Sequence, residues 1–126
     1  MNSNWNGLKV RKLQQQLLTK ELDNEQQELI VELSRTTILT EEDWEKFKTN
    51  FEKIYPGFFQ KLMLLSVDIT AAEQRLASLT RLHFTSKQIS GMLGISVDSV
   101  HKTRQRLRQR LQLSSDINLK EFVANF

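Results

Sequence analysis

The 126-residue chain has no cysteine, one proline, four glycines and a net charge of +3, a size that suits one compact domain or a small domain with an appended element. The missing cysteine excludes disulfides, Cys-ligated zinc and thiol catalysis. The longest plain apolar run is Leu62 to Leu65, too short to span a membrane, and no apolar core follows the polar start that a signal peptide would need.

Leu, Gln, Glu, Lys and Arg dominate, so the expected fold class is all-α. The charge is segregated. Residues 21 to 53 carry ten acids against Arg35, Lys46, Lys48 and Lys53, whereas residues 81 to 112 carry seven cations against Asp98 alone. A positive footprint at one end is the arrangement of a nucleic-acid binder.

From Lys9 to Arg35 there is neither proline nor glycine. Val10, Leu13 and Leu17 follow an a/d spacing, which Leu18, Leu22, Leu29 and Leu33 resume with a shift. "DNEQQE" interrupts the seam. The stretch reads as a long helix with a broken heptad, a linker or dimerising coiled coil outside the globular core. Thr40 opens a second helix whose first turn holds Glu41, Glu42 and Asp43. Trp44, Phe47, Phe51 and Ile54 recur on one face of it, and "YPG" at 55 to 57 ends it. A short helix over "FFQKLMLLSV" is then expected to send Phe58, Phe59, Leu62 and Leu65 into a core.

Beyond Thr70 the punctuation becomes dense. Thr70 and Glu73 form a T-x-x-E capping box for a helix through about Phe84, striped by Leu76, Leu79 and Leu82. Thr85 and Gln88 form a second box for a helix through about Leu93. Gly94 supplies a turn, Ile95 is expected to plug beneath it, and Ser96 caps a longer helix, "VDSVHKTRQRLRQRLQ", over about 97–112. Asn118 with Glu121 caps a last short helix. A scaffold helix, a glycine turn and a basic helix, flanked by further helices, are the sequence form of a helix-turn-helix, with Ile89, Leu93, Ile95 and Val100 at the junction.

At about 100° per residue, Val100, Leu107 and Leu111 share one side of the basic helix. The opposite side carries His101, Lys102, Gln105, Arg106 and Gln109, with Arg104 and Arg108 on one flank and Arg110 on the other. Gln and Lys can bond base edges in a major groove, while Arg104, Arg106 and Arg108 suit phosphates. Ser86 and Lys87 open the scaffold helix, where N–H groups and an ammonium suit another phosphate. His83 and His101 have no cysteine or matching acid cluster beside them and there is no Gly-rich phosphate loop, so neither an enzyme nor a metal or other cofactor is expected.

The stretch "ITAAEQRLASLTRLHFTSKQISGMLGISVDSVHKTRQRLRQRLQL" resembles the LuxR-type (GerE-type) DNA-binding domain. The matching positions are Ile69, Thr70, Glu73, Lys87, Ile89, Leu93, Ile95, Ser96, Ser99, Val100, Leu107 and Leu111. "WEKFKTNFEKIYPGFFQKL" with "SVHKTRQRLRQRL" is similar to a narrower set of bacterial regulators, in which a tetratricopeptide-repeat or other sensor region and a coiled coil precede that domain. The resemblance covers roughly residues 41 to 126 and implies a four-helix domain at 69–126, after a linker helix within 1–37 and an aromatic-rich connection at 38–68. It implies a cytoplasmic, double-stranded DNA-binding transcriptional regulator acting as a homodimer, with a sensor region or RNA polymerase as further partners and no membrane contact within these residues.

Carried over by position, His101, Lys102 and Gln105 are the base readers, and Ser86, Lys87, Ser99, Arg104, Arg106 and Arg108 hold phosphates. Leu119, Phe122 and Val123 of the last helix are the expected dimer face. The chain departs from the family at His83, where glycine is usual, at Ser90, where alanine is usual, and at Thr103, where histidine is common. A promoter-recognising region of a sigma factor shares the T-x-x-E and S-x-x-V signatures, and a coiled-coil module whose basic helix meets an acidic protein is the reading from another class.

Overall fold

In a computed structural model of the chain, residues 22–126 are described. They form seven α-helices with no strand among them: α1 (Asn24–Ser34), α2 (Glu41–Ile54), α3 (Phe58–Leu65), α4 (Ala71–Arg81), α5 (Ser86–Leu93), α6 (Val97–Arg110) and α7 (Leu119–Ala124). The all-α expectation is met.

The long helix expected from Lys9 does not run unbroken to Arg35. Its positions Val10, Leu13, Leu17 and Leu18 lie outside the described residues, and at Leu22 and Asp23 the backbone is not helical. Asp23 caps α1: its carboxylate accepts from the Gln26 N–H at 2.8 Å, and the Gln26 side chain accepts from the Asp23 N–H at 3.3 Å. "DNEQQE", which interrupts the heptad, is therefore a helix start. Nor is this helix a linker outside the core, because Ile30 and Leu33 are buried and α1 packs on α2.

Helix α2 buries Trp44, Phe47, Phe51 and Ile54, as their spacing requires. Rings continue from it without a gap, since Phe51 lies 5.1 Å from Phe58, and Phe58 lies 5.1 Å from Phe126 near the C-terminus. Cations cover the rim of this platform. Arg75 stands 5.3 Å over Trp44 and bonds Glu41 at 2.7 Å, while the buried Arg81 stacks 4.0 Å over Tyr55. Leu65 departs from its expected place and is exposed, because it is the last residue of α3 and the chain turns extended at Ser66. One continuous set of buried side chains runs from Ile30 to Val123, so the expected segments 1–37, 38–68 and 69–126 share a core over their described parts.

Five of the seven helices begin with a Thr, Ser or Asp side chain accepting from the N–H three residues on, and in four of these the N3 side chain answers. Helix α4 stops three residues sooner than expected. Leu82 is its cap, His83 turns left-handed at φ 64°, the His83 N–H reaches Thr80 O at 3.0 Å and the Phe84 N–H reaches Leu79 O at 3.2 Å. This double bond pattern is a Schellman ending, with Phe84 and Leu79 both buried beneath it. It explains why a glycine suits position 83 and why histidine there carries strain.

Deleting residues 1 to 35 removes Ile30 and Leu33 from the core, so that truncation is expected to lose cooperative unfolding, and Leu33→Ala alone to cost about 2–5 kcal/mol in urea denaturation. At position 83, His83→Val is expected to lose about 1–2 kcal/mol, because a β-branched residue fits the left-handed region worst, whereas His83→Gly is tolerated. The cap of α2 is pH-sensitive. Bonding from the Leu39 N–H, with help from Thr40, holds the Asp43 carboxyl below its ordinary value of 3.8 against the opposing effect of burial. Its contribution is thus present above that value and lost as pH falls through the depressed one, a loss that Asp43→Asn should remove from the acid-unfolding curve.

Candidate nucleic-acid interface

Helices α5 and α6 are joined by Gly94 at φ 66°, whose N–H bonds Ser90 O, and the Ile95 N–H also returns to Ser90 O at 3.2 Å. The Ser90 hydroxyl donates to Ile95 O at 2.5 Å and so locks the turn. A Cβ at Gly94 would come within 2.7 Å of Leu39 Cδ2. Ile95 does not plug beneath the turn. It is 39% exposed, and Met92 takes the buried place beside Ile89 instead. The two bonds to Ser90 curl the backbone so that position 95 faces outward, and Ile89 and Met92 share a face at the i, i+3 spacing. The chain before α2 braces the same turn, with the Ile38 N–H donating to Met92 O at 2.8 Å.

Helix α6 packs against both α4 and α5. Val100 and Leu107 are fully buried and Leu111 partly so, which is the inward stripe read from the wheel. On the outward side His101, Lys102, Gln105, Arg106 and Gln109 are all exposed. Ser96 caps the helix by accepting from the Ser99 N–H at 3.1 Å and donates its own hydroxyl to Ser99 Oγ at 3.0 Å. Lys87 is exposed at the start of α5, with Ser86 half-buried beside it.

The basic residues separate into two groups that the wheel alone does not distinguish. Arg108 donates from Nη1 to Ile117 O at 2.6 Å and from Nη2 to Ser114 O at 2.7 Å, clamping the loop that follows α6. It was expected to hold a phosphate. Its flank position turns it instead toward the carbonyls of a chain reversal whose path sequence periodicity does not specify. Arg110 donates from Nε to Glu73 Oε1 at 2.9 Å. Glu73 is only 2% exposed, and the same oxygen accepts from the Thr70 N–H at 3.2 Å. One carboxylate therefore both completes the cap of α4 and anchors the far end of α6. Glu73 was legible as a capping residue, but no sequence signal linked it to a cation 37 residues away.

Arg104 is half-buried and donates from Nη1 to His101 Nδ1 at 3.2 Å. Burial pulls its guanidinium below its ordinary value, yet an arginine remains charged at neutral pH. Lys87, Lys102 and Arg106 have no ion pair or side-chain hydrogen bond among the described residues. The outward cations are thus Lys87, Lys102 and Arg106, with Arg104 at their edge.

Leu119 and Val123, expected on a dimer face, are buried in this chain's own core, where α7 returns to α4. Of the three expected residues only Phe122 is partly exposed, stacked edge-on to Phe126 at 5.6 Å. A six-residue helix has one inward face, and the core takes it. Among the described residues, no group of three or more His, Asp or Glu side chains is placed to hold a metal, and no helix is long and apolar enough to cross a membrane. Comparison with protein-family models, with curated proteins and with solved structures finds no match to this chain.

The two groups of cations make separable predictions. Arg108→Ala is expected to lower stability by about 1–2 kcal/mol through its two lost bonds, and Glu73→Ala by about 3 kcal/mol through the cap and the Arg110 contact together. Lys102→Ala should stay within about 0.5 kcal/mol of the parent. Urea midpoints of the three variants compare them directly.

Proposed function

We propose that this protein is a sequence-specific, double-stranded DNA-binding transcriptional regulator, with α6 entering the major groove and α5 lying across its mouth. The observation that carries the reading is the division of α6. Val100 and Leu107 fasten it to α4 and α5, while an unbroken outward face presents His101, Lys102, Gln105, Arg106 and Gln109. A groove-entering helix needs polar side chains able to bond base edges along its midline, cations beside them, and a rigid support behind.

Lys102 and Gln105, near the midline, are assigned to bases together with His101. Lys87, Arg104 and Arg106 are assigned to phosphates, and Ser86 and Ser99 to the backbone contacts of the two helix starts. Arg108 is withdrawn from the set, because its donors are engaged with Ser114 and Ile117. The resemblance to LuxR-type domains supports the same reading, as does α7, which follows the basic helix and packs back on α4. The narrower regulators that the segment before α4 resembles imply a sensor region as the source of regulation. Cytoplasmic location follows from the DNA partner.

Binding of labelled duplexes selected from a random pool tests the reading. Affinity is expected to fall with salt at a log–log slope of roughly −2.7 per protein copy, at about −0.9 for each phosphate neutralised by Lys87, Arg104 and Arg106. Lys102→Ala is expected to cost about 1–3 kcal/mol on the selected site and to relax preference at one base pair. Equal weakening on every duplex would move Lys102 to the phosphate group. Absence of duplex binding, with capture of an acidic protein surface instead, would replace the DNA reading by the protein-interaction one. Binding to DNA only in the presence of RNA polymerase would favour the sigma-like one.

A further inference from the structure

A groove of about 590 Å³ runs between α3 and the C-terminal segment. Lys61, Leu64 and Leu65 form one wall, and Ile117, Glu121 and Phe122 form the other. Leu64 is 87% exposed, and Val67, two residues beyond the first wall, is 81% exposed. With Leu65 and Ile117 they make four of the eight exposed large apolar side chains of the described residues, and Leu64, Leu65 and Ile117 line the groove together. Three of the four precede the part of the chain that resembles the LuxR-type domain. The ring contact of Phe58 with Phe126, 5.1 Å between centroids, ties the two sides together.

The walls carry opposite charges. Lys61 stands on one and Glu121 on the other, both exposed, and neither forms an ion pair among the described residues. A two-fold axis lying in the interface and running along the groove sets each wall against the opposite wall of a second copy. Lys61 of each copy then faces Glu121 of the other, and Leu64 and Leu65 of each copy face Ile117 of the other. This self-complementarity is what an isologous interface requires, and an unmatched partner of one charge sign would leave one wall repelled. We propose that this groove is the surface on which two copies of the chain pair.

On the DNA-binding reading, pairing through this groove also positions the two recognition helices. Arg108 of α6 holds the carbonyl of Ile117, so the docking wall is bonded to the proposed recognition helix. A dyad in the groove therefore sets the distance between two such helices, and with it the spacing of paired half-sites.

Sedimentation velocity of the full 126-residue chain without DNA tests the pairing. A concentration-dependent monomer–dimer equilibrium is expected. Lys61→Glu and Glu121→Lys should each weaken it by about tenfold or more, and the double variant should recover most of the loss, because the swapped charges face each other again. Leu64→Asp should yield a monomer with an unchanged thermal melt, since that side chain touches little within its own chain. Three results would overturn the proposal. They are a parent chain monomeric at every concentration, a double variant no better than the worse single one, and a dimer that survives Leu64→Asp but disappears on deleting residues 1 to 21. The last would assign pairing to the N-terminal segment. A dimer that binds no duplex leaves the groove standing and removes the DNA reading, whereas a monomeric parent that binds a single half-site does the reverse.

Discussion

The buried carboxylate of Glu73 is the contact on which the rest of the arrangement turns. An unpaired charge at that depth would be costly, and the fold answers it from two directions, the Thr70 N–H at the start of α4 and the Arg110 guanidinium at the end of α6. The pair fixes the C-terminal half of α6 relative to α4. Val100 and Leu107 fix the inward stripe, and the Ser90–Gly94–Ile95 turn fixes the N-terminal end. With both ends and one face held, α6 has a single orientation, and its outward side chains become a defined surface.

Behind α6 the molecule is an aromatic platform. Trp44, Phe47, Phe51, Phe58 and Phe59 join the first half of the chain to Phe126 at its end through successive ring contacts. Arg75 and Arg81 spend their charge on this platform, and Arg108 and Arg110 on loop carbonyls and Glu73. Three of the seven cations in residues 81 to 112 are thus structural. The acidic end follows the opposite rule. Glu41, Glu42 and Asp43 crowd the first turn of α2, where the helix dipole favours them, and only Glu41 among them reaches a distant cation, Arg75.

Local chemistry was legible in proportion to how short its range is. Capping boxes at Thr70/Glu73 and Thr85/Gln88, the glycine at 94 and the Ser96 cap stood in the sequence as they stand in the fold, because each involves residues three to six apart. The helix starting at Asn24 has, in the sequence, the pattern of the interior of a longer one. Its interruption looked like a flaw in a heptad, although Asp23 and Gln26 have capping-box spacing. Leu65 and Ile95 depart from their expected places for a related reason. Both are apolar and sit at an element's end, and an inward direction persists only while a partner element lies opposite. Met92 filled the place assigned to Ile95, which the i, i+3 relation to Ile89 could have indicated.

By itself the sequence determined the all-helical composition, most helix starts, the inward stripe of α6 and the segregation of charge. Each of these follows from backbone capping, helical period or simple counting. Tertiary structure alone decided which basic residues remain outward, because that depends on where the chain returns after α6. It placed Glu73 against Arg110 and the loop carbonyls against Arg108. It also drew Leu119 and Val123 into the core and left Leu64 and Val67 outside it, since an apolar residue is buried only where the fold brings another surface to meet it.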